Sequence, residues 1–129
     1  MPRELILSDD FDSILGNTYF DFQYVESVVF RHKSNDQRDL PENLDTLTNL
    51  RKVELRAVDY LFYRLPDVME KFGRKDLECL VVHLTHYSTL CVDTLLDKNL
   101  TNYAKHVVID LGEDYGQLYL HRSQAAHHS

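Results

Sequence analysis

The residues with the clearest potential for metal chemistry are two histidines and two cysteines near the middle of the chain. His83 and His86 lie three residues apart, with Cys79 before them and Cys91 and Asp93 after them. A zinc site needs three or four such ligands within tetrahedral reach of one point. On a strand, however, Cys79 and His83 share one face while His86 lies beyond the strand end, and free cysteines are commonly plain buried residues. We therefore predict no metal site and no cofactor.

Cys91 is also the candidate for a catalytic nucleophile, since such cysteines act with a neighbouring base. Its neighbours Val92 and Leu95 are apolar, and nothing around it indicates a strained turn or a helix N-terminus that would serve the thiol. The chain has neither a Gly-x-Gly-x-x-Gly nor a Walker-type loop, and its four glycines leave little for a phosphate cradle. These observations predict that the protein is not an enzyme.

Composition is typical of a globular protein. Of the 129 residues, 43% are hydrophobic and 27% are charged, so one domain with a substantial core is expected. No apolar run is long enough for a transmembrane helix, and Asp9 and Asp10 interrupt any N-terminal signal peptide. The net charge of −7 opposes nucleic-acid binding, because phosphate contacts need a basic patch. Two cysteines form no disulfide framework, so an intracellular protein, cytoplasmic or nuclear, is expected.

An internal repeat is the most informative feature of the sequence. Four segments share the pattern apolar-x-x-apolar-x-apolar and begin 25 to 27 residues apart, at Val25, Leu50, Leu77 and Ala104. A degenerate version opens the chain around Leu5. The last residues of each segment alternate inward and outward, which is typical of a short strand. Because these strands recur at a fixed period with room for a helix between them, the pattern predicts a parallel sheet.

The segments between the strands carry signals for helices. Four helix starts are predicted, with caps at Asp9 or Asp10 and at Ser88, and first-turn prolines at Pro41 and Pro66. Apolar residues at helical spacing follow each start, and a glycine is placed to end the helix that begins at Pro66. The inward positions of the four helices and that glycine are, in chain order, Phe11, Ile14, Leu15, Tyr19, Leu44, Leu47, Val68, Met69, Phe72, Gly73, Cys91, Val92, Leu95 and Leu96.

The end of the chain departs from this rhythm. Residues 112–116 are a turn signal and residues 117–121 alternate again, which indicates a final strand that can form a hairpin over the open end. We predict one repeat domain over residues 1–122 and a disordered tail over 123–129. The strands are expected near residues 4–8, 26–31, 52–56, 79–84, 105–111 and 117–121.

Two α/β architectures agree with this period. In a short solenoid, parallel strands follow the sequence order and helices lie on one side, so each unit is buried only against its neighbours. In a doubly wound sheet, helices cover both faces and the strand order reverses at a switch point. The near-constant spacing and the similar strand segments favour the solenoid.

Residues 40–55 resemble one leucine-rich repeat, with the sequence Leu-Pro-Glu-Asn-Leu-Asp-Thr-Leu-Thr-Asn-Leu-Arg-Lys-Val-Glu-Leu. The resemblance is periodic over about residues 2–111, and the unit lengths are similar to the irregular repeats found behind F-box domains, without an F-box segment. Such repeats usually carry Asn, Cys or Thr three residues after the last strand leucine, and only Thr85 fulfils this here. The resemblance implies a leucine-rich-repeat-like solenoid that acts as a protein-binding adaptor, and it leaves the ligand open.

The strand residues that point away from the predicted core define a candidate binding surface. If the first, fourth and sixth positions of each segment are buried, the residues between and beside them lie on the opposite face, about 5 Å from their neighbours on the next strand. They form a band of Ile6, Val29, Glu54, Val81 and Val108, edged by Ser8, Arg31, Arg56, His83 and Asp110. An exposed apolar band of this kind indicates a surface that another molecule covers.

The sequence thus predicts a non-catalytic intracellular module that binds another protein through its sheet face. Its predicted partner-binding residues are Arg31, Glu54, Arg56, Val81, His83, Val108 and Asp110. The two arginines suit a carboxylate-bearing partner, because guanidinium groups pair bidentately with carboxylates. One alternative is a small doubly wound ligand-binding domain or enzyme with its site at the strand ends. Another is an acidic inhibitor that neutralises a basic partner through the net charge of −7.

Overall fold

A sheet of six strands dominates the computed structural model, which describes residues 4–7, 22–31, 44–56, 65–73, 76–84, 93, 96–97 and 99–122. The strands are β1 (Glu4–Leu7), β2 (Ser27–Arg31), β3 (Lys52–Arg56), β4 (Leu77–His83), β5 (Ala104–Asp110) and β6 (Gln117–His121). The described helical elements are α1 (Leu65–Lys71) and 3₁₀ turns at Phe22–Tyr24, Leu44–Thr46 and Leu100–Asn102.

The strands lie side by side in their sequence order. β1 to β5 are parallel, and β6 pairs antiparallel with β5. The predicted α/β class and the predicted order of parallel strands are therefore confirmed. Among the six described strands the order does not reverse, although a doubly wound sheet requires such a reversal. The strand register follows the repeat, because the fourth positions of the four segments are paired: Val28, Val53, Leu80 and Val107.

The core lies on one face of the sheet. The first, fourth and sixth positions of the four segments are all buried, as predicted: Val25, Val28, Phe30, Leu50, Val53, Leu55, Leu77, Leu80, Val82, Ala104, Val107 and Ile109. Side chains from the connections join the same cluster: Leu44, Leu47, Met69, Phe72 and Leu100. The rings of Phe30 and Phe72 meet edge to face with centroids 6.1 Å apart, which packs the end of α1 against the core face of the sheet.

The connections agree in part with the predicted helices. α1 carries Pro66 in its first turn, and Gly73 follows it with a φ of 66°, a left-handed conformation that glycine adopts without strain. The helix predicted after Pro41 is a 3₁₀ turn where the structure describes it, at Leu44–Thr46. Leu44 and Leu47 are nevertheless buried, because residues three apart lie on one side of a 3₁₀ turn as well.

The helix predicted after Ser88 is described at only three of its positions. Asp93 and Leu96 are helical, and the amide of Asp97 donates to the carbonyl of Asp93 at 3.0 Å. Leu96 is 41% exposed, so its predicted inward position is wrong, because it lies in the last turn beside the exposed Asp97. No helix in the described parts of the chain has the length and apolarity to cross a membrane.

Several predictions fall outside the described residues. They are the helix capped by Asp9 or Asp10, the residues Ser8, Thr85, His86 and Cys91, and the tail over 123–129.

The last two strands form a hairpin. Gly112 and Gly116 both have positive φ, at 97° and 74°, and the amide of Leu111 donates to the carbonyl of Gly116 at 2.9 Å. Leu118 and Leu120 of β6 pack against the core, so alternation places Gln117, Tyr119 and His121 on the other face.

Candidate functional site

The face of the sheet opposite the core carries three rows of side chains that run across the strands. We name this surface the open face. Its central row comprises Ile6, Val29, Glu54, Val81, Val108 and Tyr119. The row near the strand ends comprises Arg31, Arg56, His83, Asp110 and Gln117. The row near the strand starts comprises Ser27, Lys52, Cys79, His106 and His121.

Exposure varies along the central row. Ile6 and Tyr119 at its two ends are 44% and 60% exposed, and Val81 and Val108 are half-buried. Val29, which was expected in the exposed band, is only 4% exposed. It lies between Ile6 and Glu54 on the neighbouring strands. The apolar part of the open face therefore lies mainly on β4 to β6.

The helical elements that the structure describes all serve the other face. Each contributes a side chain to the core or packs against it: Phe22, Leu44, Met69 and Leu100. Within these parts of the chain, the open face is therefore the sheet surface that has no helical layer.

His83 lies between two carboxylates at the strand ends of the open face. Its Nε2 is 2.5 Å from Glu54 Oε1, and its Nδ1 is 2.8 Å from Asp110 Oδ2. Both ring nitrogens therefore lie within hydrogen-bonding distance of a carboxylate oxygen. We name Glu54, His83 and Asp110 the histidine bridge, which ties β3, β4 and β5 together.

Two further groups fix the carboxylates of the histidine bridge. Arg56 donates to Glu54 Oε1 from Nε at 3.3 Å and from Nη2 at 3.2 Å. The amide of Gly112 donates to Asp110 Oδ1 at 3.0 Å. Both carboxylates thus accept hydrogen bonds within the protein, Glu54 from a guanidinium group and Asp110 from a backbone amide.

The surroundings shift the protonation of both carboxylates. Partial burial raises the pKa of Glu54, but the hydrogen bond and charge of His83 and the charge of Arg56 together lower it below its ordinary value of 4.5. The amide of Gly112 has the largest effect and holds the pKa of Asp110 below its ordinary value of 3.8; burial opposes it, and His83 and Arg56 lower the pKa further. Both carboxylates therefore remain ionised at neutral pH.

Acid is expected to weaken the fold through this bridge. Because the folded-state pKa of Glu54 is lowered, its contribution to stability is complete above about pH 4.5 and is lost as the pH falls through the folded-state pKa. Glu54→Gln removes this contribution. Its melting temperature should therefore fall less between about pH 6 and about pH 3 than that of the parent. Thermal melts followed by circular dichroism over this range measure the drop.

The control for this prediction is Glu113→Gln, at an exposed position of the hairpin turn. It should follow the pH dependence of the parent. Equal pH dependence in Glu54→Gln and in the parent would show that the histidine bridge does not link protonation to folding.

The histidine bridge also decides which chemistry is open to its members. Both ring nitrogens of His83 face carboxylate oxygens, so neither is free to act as a base or to ligate a metal ion. Within the described residues, no group of three or more His, Cys, Asp or Glu side chains is arranged to hold a metal ion. Burial raises the pKa of the Cys79 thiol, which disfavours the reactive thiolate. The arrangement suits recognition by fixed charges.

The predicted site residues come together on this surface. Arg31, Glu54, Arg56, Val81, His83, Val108 and Asp110 all lie on the open face. Sequence reasoning missed the contribution of β6, above all Tyr119. The alternation of residues 117–121 placed Tyr119 opposite Leu118 and Leu120, but only the pairing of β6 with β5 shows that it extends the same row.

The open face continues into a depression at the hairpin. This depression has a volume of about 530 Å³ and is lined by Asp110, Gly112, Glu113, Gly116, Gln117 and Tyr119. It extends the surface available to a bound molecule beyond the strands themselves.

Comparisons with protein-family models, with curated proteins and with solved structures find no match. The fold itself defines the class that can be stated: a mixed α/β protein whose six described strands lie in sequence order and are mostly parallel.

Proposed function

We propose that this protein is a short leucine-rich-repeat-like solenoid that binds another protein through its open face and catalyses no reaction. The observation that carries this proposal is the open face, which lies on a sheet side without a described helical layer and combines apolar side chains on β4 to β6 with arginines on β2 and β3. Apolar surface beside charged side chains is typical of protein-binding sites. With two cysteines in the chain, a reducing compartment, cytoplasmic or nuclear, is part of the proposal.

Repeated backbone contacts support the solenoid architecture. The carbonyl of Glu26 accepts hydrogen bonds from the amides of Arg51 and Lys52, at 2.8 and 3.0 Å. One unit later, the carbonyl of Arg51 accepts from the amides of Glu78 and Cys79, at 2.8 and 3.2 Å. The same positions of successive segments therefore make the same contacts, as expected when each unit stacks on its neighbour.

The partner that best fits the open face is an acidic segment of another protein. Glu54 already accepts hydrogen bonds from Arg56, Asp110 accepts one from the amide of Gly112, and both carboxylates contact His83. Arg31 is exposed and makes no ion pair within the described part of the chain, and Arg56 is 50% exposed beside its contact with Glu54. An aspartate- or glutamate-bearing segment across the central row would bury Val108 and Tyr119 and reach both guanidinium groups.

Site-specific photo-crosslinking tests which face meets the partner. A photoreactive phenylalanine derivative replaces Tyr119 on the open face in one variant and Glu70 on α1 in a second, since both positions are exposed. After irradiation in a cell extract, the Tyr119 variant should give a discrete crosslinked product whose attached peptide is rich in Asp and Glu. The Glu70 variant should not give that product.

Two outcomes would contradict the proposal. One is the same product from the Glu70 variant and none from the Tyr119 variant, which would place the partner on the helical side. The other is a peptide rich in Lys and Arg at Tyr119, which would favour the acidic-inhibitor alternative.

A further inference from the structure

A cross-strand pair of histidines lies on the open face away from the histidine bridge. His106 of β5 and His121 of β6 are directly opposite each other in the hairpin, and both are exposed. Their Nδ1 atoms are 2.7 Å apart, and their rings are nearly perpendicular at 78° with centroids 4.9 Å apart. The two nitrogens therefore face each other at the surface, where an ion from solution can reach them.

The geometry points to a binding site for a divalent transition-metal ion, with the Nδ1 atoms of His106 and His121 as its two protein ligands and water in the remaining positions. This site has two ligands and so differs from a closed structural metal site, which needs three or four. It also goes beyond the proposed function, because nothing in protein docking requires it. Imidazole is a ligand that Zn²⁺, Cu²⁺ and Ni²⁺ share.

The donor set admits any of these three ions. Both protein ligands are imidazole nitrogens, which form metal–nitrogen bonds of about 2.0 Å. The two Nδ1 atoms are 2.7 Å apart, so both can reach one ion at this bond length.

The overall charge of the protein favours a cation. Next to His106, the side chains of Lys105 and Glu78 contact each other at 3.1 Å, so their opposite charges offset each other. The net charge of −7 also attracts cations to the protein as a whole.

A shared proton is the competing explanation of the short distance. Two neutral imidazoles hydrogen-bonded through Nδ1 would lie equally close, one as donor and one as acceptor. Metal titration distinguishes the metal site from the hydrogen bond. If the two histidines only form a hydrogen bond with each other, no saturable metal binding that requires both rings should be observed.

Calorimetric titration with NiCl₂ tests the site. Nickel is the probe because the free thiol of Cys79, next to His106 in the same row, would react with Cu²⁺. All proteins carry His127→Ala and His128→Ala, since two adjacent histidines can bind nickel by themselves. This parent should bind one Ni²⁺ per chain.

Single variants identify the ligands. His106→Gln and His121→Gln should each weaken nickel binding by about a hundredfold, because the second ligand of a linked pair acts at high effective concentration. Both positions are exposed, so the variants should stay folded, and melting curves without metal verify this. His32→Gln is the matched control and should bind nickel as the parent does. No saturable nickel binding by the parent, or nickel affinity unchanged in either variant, would overturn the inference.

Discussion

Val107→Asp is expected to unfold the protein at room temperature. Val107 is fully buried on the core face, between Leu80 and Leu120 on the neighbouring strands. A carboxylate at this position finds no described polar partner, and burying it costs about 4 kcal/mol or more. A domain of this size has a total stability of roughly 5 to 15 kcal/mol, so most of that stability would be lost. A melt followed by circular dichroism, together with a urea titration, measures the loss.

Val108→Asp is the matched control for this prediction. It places the same side chain on the same strand one residue later, where it points to the open face and is only half-buried. The carboxylate can reach water there, so the protein should stay folded, with a loss of roughly 1 kcal/mol. Equal destabilisation by the two variants would show that the sheet has apolar cover on both faces and that the open face is core.

The layout of the sheet could be predicted because the repeat encodes it directly. Residues such as Leu50, Val53 and Leu55 recur at the same spacing in every unit, and three apolar positions on a short strand define one buried face. A constant period also favours adjacent placement of successive strands, which gives the parallel order that the structure shows.

The connections were harder to predict because their apolar spacing fits more than one local structure. Leu44 and Leu47 are three residues apart, which an α-helix and a 3₁₀ turn both place on one side. Burial of Val29 was missed for a different reason. Alternation predicts the face on which Val29 lies, but it does not predict how much of that face other side chains cover.

The sequence was sufficient to predict which residues belong to the candidate site, but not which of their side chains are in contact. Alternation along β3, β4 and β5 placed Glu54, His83 and Asp110 on the open face, because alternate residues of a strand point to the same side of the sheet. Their contact depends on the strand register and on side-chain rotamers. The pair of His106 and His121 depends in addition on the length of the hairpin turn, which sets their alignment.

Arg31→Glu is expected to weaken partner binding by at least about tenfold, because a charge reversal replaces attraction to an acidic segment with repulsion. The binding reference is the acidic segment identified by crosslinking from Tyr119. Arg31 is exposed and makes no ion pair within the described residues, so the melting temperature should be nearly unchanged. The effect should shrink at high salt, since the contact is made at a solvent-accessible edge. Isothermal titration calorimetry at low and high ionic strength measures the affinity of the parent and of Arg31→Glu for this segment.

The most direct test of the open face as the binding surface is the ratio of two dissociation constants for that segment, one for Arg31→Glu and one for Lys71→Glu. The two variants change the net charge equally, but Lys71 ends α1, which packs on the core face of the sheet. We expect Arg31→Glu to raise the dissociation constant by at least about tenfold, while Lys71→Glu leaves it within about twofold of the parent. Equal weakening by the two variants would mean that net charge alone drives association. Weakening by Lys71→Glu alone would place the partner on the helical side and contradict binding at the open face.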